Sequence, residues 1–151
     1  MKKILIIDDE LSKIDESKNF VDKYGLKEYE YLFAMHKGEA LKILESNKNI
    51  SLIILDIVFN NMNDPVGLEE IKAISKEIWP SGQDTLSGNE YGLPMLNELR
   101  ARYPQIPVVI LSSKTVSNVL LWCWRNGACY YVIKPPEDRK TVKGVLDSFS
   151  I

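Results

Sequence analysis

The sequence has little of the residues that carry most metal and covalent chemistry. It holds one histidine, His36, in 151 residues. His36 opens a helical pattern and reads as a surface residue, so no histidine chemistry is expected within the chain. The two cysteines, Cys123 and Cys129, stand in apolar company without CxxC spacing. That excludes the usual zinc and redox motifs, and both read as buried free thiols. Long hydrophobic runs are missing too. The longest span about five or six residues, against the ~20 that a membrane helix needs. The opening MKKILIIDDE meets three acids too early to be a secretory h-region, and the chain reads as cytoplasmic. Finally, there is no excess of one charge: 19 basic and 21 acidic residues leave −2. Neither nucleic acid nor an anionic membrane is therefore indicated as a partner.

What is present is ordinary globular composition, 45% hydrophobic and 26% charged. The length suits one domain, 1–151, since domains most often run about 100–150 residues. Short isoleucine-rich runs at 2–8, 52–56, 108–112 and 129–134, with a weaker one at 29–34, predict five strands. Their continuous rather than alternating apolar character suits strands buried on both faces. Helical patterns lie between them. Ser12 with Asp15 and Glu16 resembles a capping box, and Gly25 offers a stop. Further helices are expected over 38–46, 93–102, 115–126 and 137–149, the last with the stripe Val142, Val145, Leu146, Phe149. Alternation of this kind predicts an α/β fold, a parallel sheet with helices on both faces.

One segment breaks the rhythm. Between strand three and the next expected helix lie 36 residues, Ile57 to Gly92, where such loops usually take about 2–6. Asp64-Pro65 reads as an N-cap and first helical residue, and Leu68, Ile71, Ile74 and Ile78 form a stripe, predicting an inserted helix over about 65–79. Six acids against two lysines give the segment −4 and leave the rest of the chain at +2.

In an open α/β sheet, ligands bind beyond the carboxyl ends of the strands. Strand one ends in Asp8, Asp9 and Glu10, strand three in Asp56, strand four in Ser112 and Ser113, and strand five in Lys134 before two prolines. Carboxylates gathered at one rim repel unless a cation or proton neutralises them. All-oxygen ligation is what Mg²⁺ prefers, typically with one or two carboxylates. A metal, a lysine and a hydroxyl would together position and stabilise a phosphoryl group moving onto a carboxylate.

With those residues in view, the chain resembles the response-regulator receiver domain of two-component signalling. The matching segments are ILIIDDE at 4–10, LIILDI at 52–57, YGLPMLNELR at 91–100, PVVILSS at 107–113 and NGACYYVIKPP at 126–136. The resemblance implies a flavodoxin-like sheet of five parallel strands in the order 2-1-3-4-5, here with an inserted helix after strand three. It implies Asp56 as phosphoacceptor, and Mg²⁺ held by Asp8, Asp9, Asp56 and the backbone carbonyl of Val58. Ser112 and Lys134 are the implied partners of the phosphoryl group, and Tyr131 is the implied switch aromatic. The implied donor is a sensor histidine kinase or a phosphotransfer protein. The implied output is contact with a partner protein or a second copy, through the face built by helix 115–126, strand 129–134 and helix 137–149.

Two departures stand out. The 57–92 segment replaces a short loop and reads as a decoration, a lid over the site, or a docking element. Helix 115–126 is expected to bury Val116, Val119, Leu120 and Cys123, which leaves Leu121, Trp122 and Trp124 off the stripe, the two tryptophans being a candidate partner face. The sequence therefore predicts a phospho-acceptor switch rather than a conventional enzyme. The alternative is a receiver-like interaction module that is not phosphorylated and binds through the insertion and helix 115–126. An aspartyl phosphohydrolase of the haloacid-dehalogenase type would want an acid two residues past the nucleophile, where Val58 stands.

Overall fold

The computed structural model describes residues 2–10, 29–113 and 116–133. The helical patterns expected over 12–25 and 137–149, and Lys134, lie outside the described residues. In chain order the elements are β1 (Lys3–Ile7), β2 (Glu30–Ala34), α1 (Lys37–Ser46), β3 (Ile50–Leu55), α2 (Pro65–Ile78), α3 (Gly92–Arg102), β4 (Val108–Ser112), α4 (Ser117–Arg125) and β5 (Tyr130–Ile133). All strand pairs are parallel, in the order β2-β1-β3-β4-β5. This is the flavodoxin-like order that the sequence predicts.

The apolar strand runs are buried on both faces, as their lack of alternation implies. Leu5, Ile7, Ile53, Leu55, Val108 and Ile110 join one core cluster with Ala40 and Leu44 of α1, Leu96 and Leu99 of α3, and Val119 and Cys123 of α4. The alternate residues Ile4, Ile6, Leu52, Ile54, Val109 and Leu111 point the other way and are equally buried. Each such side chain contributes about 1.5–3 kcal/mol relative to an exposed one. β2, the weakest run, is one of the two edge strands and is half-exposed.

The register sets the strand ends level with one another. Ile7 pairs with Ala34 on one side and Leu55 on the other, and Leu55 pairs with Ile110. The Asp56 N–H continues the ladder by donating to the Ile7 carbonyl at 3.1 Å. Residues 8 and 56 thus leave neighbouring strands side by side.

The inserted helix α2 forms where Asp64 and Pro65 call for it. Asp64 Oδ1 accepts the Val66 N–H at 3.1 Å, and Pro65 occupies the first turn. Ile71 and Ile74 are buried, while Leu68 and Ile78 are half-buried. α2 lies against α3 and α4, and its Ile71 and Ile74 join the same core cluster.

That contact corrects the expectation for α4. Trp122, expected off the stripe, is buried, and its indole N–H donates to Glu77 Oε2 of α2 at 2.9 Å. Val116, expected in the core, is 39% exposed, and Leu120 is half-buried. The buried side chains of α4 are Val119, Trp122 and Cys123, because the helix is covered on two sides rather than one. Trp124 is 68% exposed. Gly127, with φ +95°, ends the helix in a left-handed conformation that Asn126-Gly127 foreshadows. Among the described residues no helix is long and apolar enough to cross a membrane.

Both thiols are free; Cys123 is buried, but Cys129, just ahead of β5, is only half-buried. Burial pushes the Cys123 thiol up to about 12, which keeps it protonated and unreactive. A disulfide-exchange reagent at mildly alkaline pH should titrate Cys129 in the native chain and reach Cys123 only after unfolding. Fast labelling of both thiols would contradict the packing of α4. Glu77→Ala strands the indole N–H of Trp122 and should lower stability in urea by about 1–2 kcal/mol. Glu77→Gln, which keeps an acceptor oxygen, should retain most of it.

Candidate functional site

Because every strand runs the same way, the carboxyl ends of β1, β3 and β4 share one edge of the sheet. The residues found there are nearly sealed from water. Asp8 is 1% exposed, Asp9 3%, Asp56 3% and Ser112 0%. Four of the six buried polar side chains among the described residues therefore stand at this edge. A buried carboxylate is costly unless it is hydrogen-bonded or faces a cation, so the partners of each oxygen decide what the site can do.

Asp8 Oδ1 accepts the Glu10 N–H at 3.1 Å, and the Asp8 N–H donates to the Ala34 carbonyl at 2.9 Å. Asp56 Oδ1 accepts from the loop that follows it, from the Ile57 N–H at 2.7 Å and the Val58 N–H at 3.4 Å. Those bonds set the orientation of the carboxylate and bring the Val58 backbone beside it. Asp9 Oδ2 accepts the Asn61 N–H at 2.7 Å, while Asp9 Oδ1 is buried with no hydrogen-bond partner. Ser112, the last residue of β4, hydrogen-bonds to the Tyr131 side chain. Burial holds the Tyr131 phenol well above its ordinary range; Cys123 and Asp56 add to that shift and the Ser112 bond opposes it. Tyr131 also lines an open apolar cleft of ≈ 390 Å³ beside Leu121, Trp124 and Tyr130.

The structure thus brings Asp8, Asp9, Asp56 and Ser112 to one edge, with Tyr131 one hydrogen bond further out. Trp124 stands on the cleft beyond Tyr131, and Trp122 is withdrawn against α2. Lys134 falls outside the described residues.

A divalent cation fits what is there. Asp9 Oδ1 is a buried, bare oxygen, and bare carboxylate oxygens out of water are cation ligands or liabilities. Among the described residues no three His, Cys, Asp or Glu side chains converge closely enough to hold a metal unaided. Mg²⁺ does not ask for that, since it keeps several waters and uses one or two carboxylates.

Sequence reasoning missed the asparagines. Asn60 Nδ2 donates to Glu10 Oε1 at 3.1 Å, Asn89 Nδ2 donates to Asn60 Oδ1 at 3.0 Å, and the Phe59 N–H donates to the Asn89 carbonyl at 2.8 Å. Both ends of the long connection are thereby stitched to each other and to the end of β1. The run NNMN at 60–63 is a turn-forming composition, but nothing in it names Asp9 as its partner. Glu90 was also missed. It is fully buried, and its carboxylate accepts the N–H groups of Ser87, Gly88 and Asn89 at 2.8–3.0 Å. The S-x-x-E spacing of Ser87 and Glu90 was the available signal.

Gly92 fixes the approach of α3 to this edge. Its N–H donates to the Ile57 carbonyl at 2.9 Å, and a Cβ there would collide with the Asp56 carbonyl oxygen and stand 2.6 Å from the Ile57 Cα. Both obstacles are backbone, so no side-chain rotation relieves them. Gly92→Ala should cost about 3 kcal/mol, the upper part of the overpacking range, read as a lowered urea midpoint. A midpoint equal to wild type would mean that α3 is not held against the Asp56 loop.

Comparison with known proteins agrees with this geometry. No family model matches the chain. Protein PilH of Pseudomonas aeruginosa is 24% identical over 149 residues, covering 97% of this chain and 98% of that protein. A response regulator from Thermotoga maritima superposes with a TM-score of 0.67 at 19% identity, over 100% of this chain and 99% of its own. A response regulator from Burkholderia pseudomallei, whose crystal structure holds a phosphorylated aspartic acid, a calcium ion and citrate, superposes with a TM-score of 0.63 at 19% identity, over 99% of this chain and 69% of its own. The chain has the receiver-domain fold of response regulators.

Proposed function

We propose that this chain is a phospho-acceptor switch, taking a phosphoryl group on Asp56 from a sensor histidine kinase or a phosphotransfer protein. The observation that carries the reading is the sealed edge, where Asp8, Asp9, Asp56 and Ser112 are each at most 3% exposed at adjoining strand ends. In the proposed step an Asp56 carboxylate oxygen attacks the phosphorus of a phosphohistidine. The P–N bond breaks, its electron pair leaves with the histidine nitrogen, and an acyl phosphate results. Asp56 Oδ1 is oriented by the Ile57 and Val58 N–H groups. The Ser112 hydroxyl, at the end of the next strand, would donate to the arriving phosphoryl oxygens.

Mg²⁺ would be held by Asp9 and Asp56, by Asp8 through water, and by the Val58 carbonyl. When bound, it supplies positive charge to a pocket otherwise too negative to admit a phosphoryl group. That the Burkholderia pseudomallei structure holds both a phosphorylated aspartic acid and a calcium ion supports this reading. Lys134 is assigned to the acyl phosphate by its place in the sequence motif.

Output follows from Ser112. Drawing its hydroxyl toward a phosphoryl group competes with its bond to Tyr131, and Tyr131 lines the cleft on which Leu121, Trp124 and Tyr130 are exposed. Loading Asp56 would thus alter the surface that a partner protein or second copy meets. In this reading the chain is cytoplasmic, a single domain over 1–151 in which 57–92 is an extended connection. It assists only its own phosphorylation and dephosphorylation.

Incubation with acetyl phosphate and Mg²⁺ should add one phosphoryl mass to the wild type and none to Asp56→Asn. Beryllium fluoride should change tryptophan fluorescence in the wild type only. Absence of any Asp56-dependent change in mass or fluorescence would overturn the switch and leave the interaction module.

A further inference from the structure

We propose that Asn61 is a positioning residue for the cation, holding the Asp9 carboxylate so that one oxygen is presented to the metal. This rests on the reading of the acidic edge as a divalent-cation site. Asp9 is only 3% exposed, yet its two oxygens are treated differently. Oδ2 accepts the Asn61 N–H at 2.7 Å, and the Asn61 side-chain amide returns to the Asp9 backbone carbonyl at 3.3 Å. Oδ1 has no hydrogen-bond partner. A carboxylate gripped at one oxygen and at its own backbone cannot rotate freely, and the oxygen it leaves bare is the one a cation can take.

Asn61 itself has little freedom. Its neighbour Asn60 bridges Glu10 and Asn89, and the Phe59 N–H is tied to the Asn89 carbonyl. The clamp is therefore supplied by the 57–92 connection, whose two ends close on each other beside β1. It joins residues 52 positions apart in the chain.

The clamp has two opposing effects on the metal. Donation of an N–H to Oδ2 draws charge from the carboxylate and by itself weakens its pull on a cation. Fixing the rotamer works the other way, because the cost of ordering the ligand is met in folding rather than in binding. Outer partners of metal ligands typically contribute about 10–100-fold in affinity, so the gain from orientation outweighs the charge withdrawn.

The test is Mg²⁺ affinity of the full chain in the absence of any phosphoryl donor, by calorimetry, with Mn²⁺ binding by electron paramagnetic resonance as a second probe. Asp9→Asn should abolish binding. Asn61→Pro, which deletes the N–H, should weaken it about tenfold or more, and Asn61→Ala, which removes only the side-chain bond, should weaken it less. The urea midpoint of the cation-free chain should not move in Asn61→Ala, whose side chain is at the surface. If Asn61→Pro lowers that midpoint, Asn61→Ala decides alone. Wild-type affinity in Asn61→Ala, or a loss of affinity matched by a loss of cation-free stability, would overturn the proposal while leaving the site intact. Failure of the wild type itself to bind Mg²⁺ would overturn the cation site and this inference together.

Discussion

Like charge concentrated where water is scarce is the constraint around which this molecule is arranged. A parallel sheet delivers Asp8 and Asp9 from β1 and Asp56 from β3 to one level. The apolar layers on both faces then close over them. Nothing in the sheet itself makes that tolerable. The remedy is local: backbone N–H groups of Glu10, Ile57, Val58 and Asn61 point at carboxylate oxygens. None of them reaches Asp9 Oδ1, which is buried with no hydrogen-bond partner. A site in this state favours a positive charge from outside, which is the physical basis of the proposed function and of its dependence on a cation.

The approach of α3 answers to the same constraint. The Asp56 loop turns sharply to bring its N–H groups back onto Oδ1, which presents the Asp56 and Ile57 backbone to the start of α3. Only a residue without a Cβ can meet it there. Gly92 is thus a consequence of how Asp56 is held, at the far end of a connection that wanders through a whole extra helix before returning.

Most of the sheet could be read from the sequence because a doubly buried strand leaves a plain mark, a continuous apolar run ended by a polar residue. The inserted helix was readable for a similar reason, since Asp64-Pro65 and the Ile71–Ile74 spacing are local signals. The acidic edge was readable because its residues are strand termini, and topology alone gathers termini. Trp122 was not readable. Assigning a helix one buried stripe assumes one neighbour, whereas α4 has the sheet beneath it and α2 beside it. The hydrogen bond from Trp122 to Glu77 depends on where a remote segment comes to rest. Asn61 was hidden in the same way. A backbone N–H carries no residue-specific signal, and its reach to Asp9 is fixed by the path of the loop rather than by the identity of asparagine.

The 57–92 connection touches the molecule at two places that matter. At its ends, Asn60, Asn61 and Asn89 hold the end of β1. In its middle, α2 holds Trp122 of α4. One segment therefore shares hydrogen bonds with both the end of β1 and α4. α4 also meets the acidic edge by a shorter way, through Ser112 and Tyr131 to the cleft beside Trp124. The connection reaches α4 at Trp122, the one tryptophan of that helix that is out of solvent. The connection therefore does not merely enlarge the chain: it holds Trp122 against α2 and leaves Trp124 exposed.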